Sequence, residues 1–305
     1  MVREELDLRQ PRRGPSLLVG LVKTARPKQW SKNVLVFAAP GAAGVIGEAE
    51  PFRNTLIALV AFCLAASGTY FLNDVADVES DRRHPKKRAR PIATGIVAAP
   101  TAKAVGVVLL ALGIALSFAA RWELAATVAG YVALTTLYSH ALKHIAVVDI
   151  VTVSTGFVLR AVGGATATGV PVSNWFFIVA SFGALFMVAG KRQAEAVQIG
   201  ADAAQLRATL GEYSVAYLAY LRAVSSSAVL MAYCLWAFEK ANEAVRADPW
   251  YQISIGPFVL GVLRYALLVD KGQGAAPEDV VLGDAILQVI GVLWVIAFAL
   301  GVYRA

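Results

Sequence analysis

The sequence predicts an all-α polytopic membrane protein with nine transmembrane helices. Three observations point there. Of its 305 residues, 58% are hydrophobic, and the mean hydropathy is +0.61, too apolar for a soluble domain. The apolar residues come in blocks of roughly 18 or more with few charges, the length that crosses a hydrocarbon core. Lys and Arg collect in alternate loops, which sets an orientation.

The spans fall roughly at 33–48, 54–77, 101–119, 122–139, 146–168, 173–190, 214–237, 250–268 and 281–302. Residues 1–15 are charged and Pro-containing, without an apolar segment, and read as a flexible cytoplasmic tail. Residues 16–305 then form a single membrane domain. The first span follows "RPKQWSKN" (Arg26–Asn33) and the second ends in "NDVADVESD" (Asn73–Asp81). The fourth leads into "YSHALKH" (Tyr138–His144). The fifth carries Arg160 beside Gly163 and Gly164, and the sixth ends in "GKRQAEAVQIGAD" (Gly190–Asp202). Spans 2 and 6 look like counterparts, which suggests two four-helix halves and an added ninth helix. Cys63 and Cys234 lie inside spans and read as small apolar residues, with no disulfide or metal role.

With the N-terminus inside, 20 of the 28 Lys and Arg face the cytoplasm, five face out and three lie within spans. The net charge of +7 therefore describes a cytoplasmic face near anionic lipid and an anionic substrate. Nucleic acid is not needed to explain it. The three intramembrane arginines divide. Arg222 and Arg264 read as helix-pairing or snorkelling residues. Arg160, in mid-span, suits either a substrate phosphate or a structural partner. His84, His140 and His144 are too scattered for a metal site.

The stretch after span 2 is the unusual one. Asp74, Asp77, Glu79 and Asp81 are followed by six Lys/Arg within nine residues. If the helix continues through Asp81, Asn73, Asp77 and Asp81 fall at i, i+4 and i+8 on one stripe. Asp74 then lies at its edge, Tyr70 one turn above, and Glu79 points away. Clustered carboxylates repel unless a cation lies among them. An oxygen-only set suits Mg²⁺, which commonly takes one or two carboxylates plus substrate phosphates. The plainer alternative is a solvated helix end neutralised by the next cations. The spacing at a membrane boundary favours a metal–diphosphate site.

"NDVADVESD" resembles the NDxxDxxxD signature of the UbiA superfamily of intramembrane prenyltransferases. "RPKQWSKN", "RRHPKKRARPIATG" and the Tyr138/Lys143 pair resemble that family too, and the likeness covers nearly the whole chain. It implies a helical barrel whose central cavity opens to the cytoplasm and sideways to lipid. The family's second acidic motif, after span 6, reads here Lys191, Arg192, Gln193, Ala194, Glu195. Lys191 and Arg192 each sit at ion-pair spacing from Glu195, so a helix-surface pair is the plain reading. The exchange of carboxylates for cations also fits a substrate with more phosphate.

Within the superfamily, "RPKQWSKNVLVFAAP", "LKHIAVVDI" and "FGALFMVAGKRQAE" are similar to the phosphoribosyltransferase branch that acts on decaprenyl phosphate in mycobacterial arabinan synthesis. That similarity implies 5-phosphoribosyl 1-diphosphate as donor, decaprenyl phosphate as acceptor and Mg²⁺ as cofactor. By the same similarity, Asn73, Asp74, Asp77 and Asp81 would hold the metal. Lys28, Lys87, Arg90 and Lys143 would take the diphosphate. Lys191 and Arg192 would take the 5-phosphate, with Tyr70 and Tyr138 as further donors and Glu195 orienting. A homo-oligomer in the plasma membrane is compatible with the sequence. Two other readings compete. One is prenyl transfer from a prenyl diphosphate to an aromatic or haem acceptor, which Lys191–Arg192 disfavours. The other is a transporter or lipid-binding protein, which the one-sided placement of the motifs disfavours.

Overall fold

The computed structural model describes residues 16–199, 208–243, 248–273 and 277–304. The expected 1–15 tail and the tip of the loop after the sixth span lie outside them. The described residues are helical: α1 Leu17–Ala25, α2 Ala38–Ala42, α3 Ala49–Ala76, α4 Val78–Arg83, α5 Ala99–Ser117 and α6 Trp122–His140. They continue with α7 Val148–Thr168, α8 Asn174–Ile199, α9 Val215–Glu243, α10 Trp250–Asp270, α11 Pro277–Gly283 and α12 Ala285–Arg304.

Seven of these, α3, α5, α7, α8, α9, α10 and α12, are long and apolar enough to cross a membrane. The expected first span does not form one long helix. A 3₁₀ helix, Pro27–Phe37, runs into the short α2. The reason is local. Arg26 ends α1 in a left-handed conformation, φ 54°, and Pro27 cannot continue an α-helical ladder. The expected fourth span, α6, has 19 residues, as α5 has, but falls outside the seven on composition.

The helices pack largely in chain order, α3 on α5, α6 on α7, α8 on α9 and α10 on α12, with α7 also against α3 and α8. Small residues set the spacing. A Cβ on Gly164 would lie 1.8 Å from the Val36 carbonyl oxygen, and one on Gly163 would lie 2.4 Å from the Phe62 ring. The glycine pair thus seats the 3₁₀ segment and α3 directly on α7. α7 ends where Gly169 takes φ +74°, a left-handed cap that costs glycine little. One apolar core lies where α3, α6, α7 and the 3₁₀ helix meet, around Phe62, Val36, Leu124, Val128 and Tyr131. A second joins α7, α8 and α9 through Ile150, Val188 and Leu218. The outer faces stay apolar: Val289, Val292, Leu293 and Ile296 of α12 are exposed, as expected of surfaces whose solvent is lipid.

Candidate active site

The acidic stretch is where the helix gives way. α3 stops at Asp77, with φ −92° and ψ 6°, and α4 restarts at Val78. Hydrogen bonds still bridge the break, Asp77 N–H to Asn73 O at 2.9 Å and Asp81 N–H to Asp77 O at 2.8 Å. The kink regroups the carboxylates. Asp74, expected at the stripe's edge, is buried at the centre at 3% exposure, and Asp81 is buried at 1%. Arg90 bridges the two, one guanidinium nitrogen lying 3.0 Å from Asp74 Oδ1 and 2.7 Å from Asp81 Oδ2. Arg26 donates to the same Asp74 oxygen at 2.6 Å and lies over the Tyr70 ring at 4.6 Å.

Asp74 is therefore an anchor for two arginines, and its Oδ1 is not an open metal ligand. Arg26 joins the Asp74 cluster, although sequence reasoning passes it over for its neighbour Lys28. Its signal was present in "ARPKQW", but only folding brings it to Asp74. Glu79 does point away and pairs with Arg82 at 2.8 Å. Among the described residues no group of three or more His, Cys, Asp or Glu is arranged to hold a metal unaided. Asp77 is half-exposed, Asn73 is partly buried, and Asp81 keeps one oxygen, Oδ1, buried without a hydrogen bond.

The loop after α6 reaches this end of α3. Lys143, in a short 3₁₀ turn Leu142–His144, comes within 3.8 Å of Asp77. Tyr138 is half-buried in the last turns of α6, and Lys87 is half-buried in the turn between α4 and α5. Lys28 goes elsewhere. Its ammonium is 3.0 Å from Asp279 of α11, both side chains well exposed. It links the N-terminal segment to the C-terminal one and does not enter the Asp74–Asp81 cluster.

The end of α8 divides the two cations expected to take phosphate. Lys191 is partly exposed, 3.9 Å from Glu195. Arg192, by contrast, turns inward at 4% side-chain exposure. It lies 3.0 Å from Glu195 and 3.5 Å from Asp149. Its guanidinium faces two carboxylates away from solvent, and its Nε is buried without a hydrogen-bond partner. Glu195 is held between both cations, so its orienting action is on Arg192 and Lys191.

Asp149, in the first turn of α7, is fully buried. It accepts from Tyr213 Oη at 2.5 Å and from Thr209 Oγ1 at 3.2 Å. Burial, and secondarily the Asp149 carboxylate, push the Tyr213 hydroxyl well above its usual range, so it stays a protonated donor. The Tyr213 oxygen in turn accepts the Val147 N–H. Val147 holds φ +67°, a strained backbone for a β-branched residue. The stretch "AVVDI" does not single out Asp149 in the sequence, because one carboxylate at a helix start is ordinary.

Arg160 has protein partners for each guanidinium nitrogen. Its Nε donates to Asn33 at 2.7 Å, Nη1 to the Gly156 carbonyl at 2.6 Å and Nη2 to Tyr131 at 2.7 Å. It is 7% exposed and pins the 3₁₀ segment to α6 and α7. Asn33 also donates to Cys63 Sγ at 3.2 Å. Arg264 forms a fork with Asp284 at 2.7 and 3.2 Å, and Arg222 lies 3.5 Å from Asp270. Both intramembrane arginines thus find acidic partners at helix ends.

An all-helical fold with an Asn-Asp stretch closing one long helix and a lysine loop set against it defines an intramembrane transferase architecture, and the comparisons agree. The UbiA prenyltransferase family model matches residues 34–287, and the chain belongs to that family. It is a multi-pass membrane protein. It is 45% identical to the decaprenyl-phosphate phosphoribosyltransferase of Corynebacterium glutamicum, over 98% of this chain and 91% of that one. It is 40% identical to the enzyme of the same name from Mycolicibacterium smegmatis, over 96% of each. It is 43% identical to that from Mycobacterium tuberculosis, over 92% of this chain and 93% of that one. A UbiA homolog from Archaeoglobus fulgidus, solved with GPP and Mg²⁺, superposes with a TM-score of 0.68 at 17% identity, over 94% of this chain and all of that one. A digeranylgeranylglyceryl phosphate synthase gives 0.69 at 16% identity, over 95% and 99%. These distant structures establish the fold.

Proposed function

We propose that this protein transfers the 5-phosphoribosyl group from 5-phosphoribosyl 1-diphosphate to decaprenyl phosphate. The products are diphosphate and 5-phosphoribosyl-1-phosphoryl-decaprenol, for cell-wall arabinan synthesis. The observation that carries this reading is the approach of Lys143 to Asp77 at 3.8 Å. It joins a cationic loop to an acidic helix end, where a diphosphate would need both. The near full-length likeness to three phosphoribosyltransferases supports the choice of donor and acceptor.

Mg²⁺ suits the oxygen-only donors that remain open here. Asp77, the Asn73 amide oxygen and the unpartnered Asp81 Oδ1 would hold it, with substrate phosphate completing its shell. Bound there, the ion would draw negative charge from the leaving diphosphate. The chain's own cations do the rest. Lys143 and Lys87 meet the diphosphate as point charges, and Arg90, steadied by Asp74 and Asp81, presents its remaining N–H donors. Lys191 takes the 5-phosphate. Tyr70 and Tyr138 border the cluster as further donors.

The acceptor phosphate oxygen attacks ribose C1 as the C1–O bond to diphosphate breaks, with inversion at C1. That oxygen is already anionic at neutral pH, so no strong general base is needed. Catalysis is positioning and electrostatics. The setting we propose is a nine-helix barrel in the plasma membrane, N-terminus inside. Its cavity opens to the cytoplasm, where the Lys/Arg asymmetry puts all these loops.

The test supplies purified protein with labelled phosphoribosyl diphosphate and decaprenyl phosphate, with and without Mg²⁺. Labelled lipid should form only with the ion, and Asp77→Ala and Lys191→Ala should each cut its formation by about a hundredfold or more, the scale of a lost charge-stabilising group. A folded wild type that labels no lipid from this donor would overturn the assignment.

A further inference from the structure

The Asp149 cluster lies behind the proposed phosphate cations and touches no substrate in the mechanism above. It is nonetheless built as a junction. One buried carboxylate receives Tyr213 and Thr209 from the segment before α9, and faces Arg192 from the end of α8. Through Tyr213 it also holds the Val147 N–H, hence the loop that carries Lys143. Arg192 passes the contact on to Glu195 at 3.0 Å, and Glu195 to Lys191 at 3.9 Å. A row of alternating charges thus runs from the fully buried Asp149 to the partly exposed Lys191.

We infer that Asp149 is a positioning residue for donor binding, which sets Lys191 through Arg192 and Glu195 and fixes the Lys143 loop through Tyr213. The inference deepens the proposed function and rests on it. The physical reason is that Arg192 has two carboxylates to share. With Asp149 present, the guanidinium is drawn inward, and Glu195 is divided between Arg192 and Lys191. Without the Asp149 charge, Arg192 must satisfy itself on Glu195. Glu195 then follows Arg192, and its contact with Lys191 weakens. A buried cation left short of charge is costly enough to drive that shift.

The experiment is a double-mutant cycle on the full-length protein in detergent, read as KM and kcat for phosphoribosyl diphosphate. Asp149→Asn keeps the side chain's shape and removes the charge facing Arg192. It should raise the donor KM by about tenfold, the scale of coupling between residues in one charge network, with kcat changed by less than about threefold. Combined with Lys191→Ala, its effect should shrink to about threefold, the part that runs through Tyr213 and the Lys143 loop. Combined with Lys28→Ala, whose partner is Asp279, the two effects should multiply.

A simple folding role would give a different pattern, with losses multiplying in both pairs and kcat falling with the unfolding temperature. That result overturns the inference, as does an unchanged donor KM. If Asp149→Asn does not fold, Tyr213→Phe, which severs the carboxylate from Val147, replaces it in a cycle with Lys143→Ala, where it should add no more than about twofold. The wild type reports on the underlying reading separately. If it turns over a prenyl diphosphate and not the phosphoribosyl donor, the function assignment fails. The cycle, repeated on that donor and on inorganic diphosphate binding, still decides the positioning role.

Discussion

At the scale of single residues, two guanidinium–carboxylate groupings organise the charged end of the helices. Arg90 lies between Asp74 and Asp81, and Arg192 between Asp149 and Glu195. Each fixes its arginine in place instead of leaving it to search for phosphate. Removing Arg90 leaves two carboxylates, 3% and 2% exposed, facing each other without their shared cation. Arg90→Ala should destabilise the protein by about 3 kcal/mol, the cost of an uncompensated buried charge. It should also abolish transfer. Arg90→Lys should recover part of the stability and little activity, because one ammonium cannot reproduce the planar fork. Thermal unfolding in detergent beside a turnover assay checks both. An Arg90→Ala protein as stable as wild type would show that Asp81 needs no cation and that Arg26 suffices for Asp74. The Asn-Asp stretch was legible in the sequence because its spacing is local, set by helical periodicity. Arg26 and Asp149 were not, because each becomes significant only when a distant segment arrives.

At the scale of elements, the entry of the chain depends on close backbone packing. The 3₁₀ helix Pro27–Phe37 lies against α7 where Gly164 leaves room for the Val36 carbonyl, and Arg160 ties Asn33 of the same segment to α6 and α7. Gly164→Ala would put a methyl 1.8 Å from that carbonyl oxygen, and backbone cannot step aside as a side-chain tip can. It should lower stability by about 1–3 kcal/mol, the usual cost of overpacking. Transfer should weaken as well, through displacement of Arg26. Gly130→Ala in α6, which meets nothing within 4 Å, is the control and should be silent or slightly stabilising. Equal unfolding temperatures for the two variants would mean that the segment is not seated as described. A glycine pair such as Gly163–Gly164 permits close helix approach, but the apolar pattern alone predicts a long helix at 33–48. Composition there is apolar enough for a span. What it does not convey is that Arg26 and Pro27 start the segment as a tight 3₁₀ turn held sideways on α7.

At the scale of the whole molecule, charge asymmetry and fold give one orientation to test. The 28 residues of α3 rise about 42 Å, enough to cross the bilayer, so Arg53 near its start and Arg88 beyond its end lie on opposite faces. With both native cysteines inside spans, Arg53→Cys should react with a membrane-impermeant thiol reagent in intact cells. Arg88→Cys should react only after the membrane is opened. The reverse pattern would invert the proposed topology and place the Asp77–Lys143 site on the outer face.

The sequence by itself determined the class of molecule: a helical membrane protein, its family, the acidic helix end and the sidedness expected of its loops. These follow from composition and short-range spacing, which do not need distant parts of the chain. Only the tertiary structure decided which charged groups meet. It put Asp74 at the centre, drew Arg192 inward to Asp149, sent Lys28 to Asp279 and gave Arg160 to Asn33 and Tyr131. While the exposed Lys28–Asp279 pair is brought together by the fold alone, for Asp74, Arg192 and Arg160 the physical reason is the low-dielectric interior. There a charge must find its partner wherever the fold has placed one, and sequence spacing carries no information about a partner on another helix.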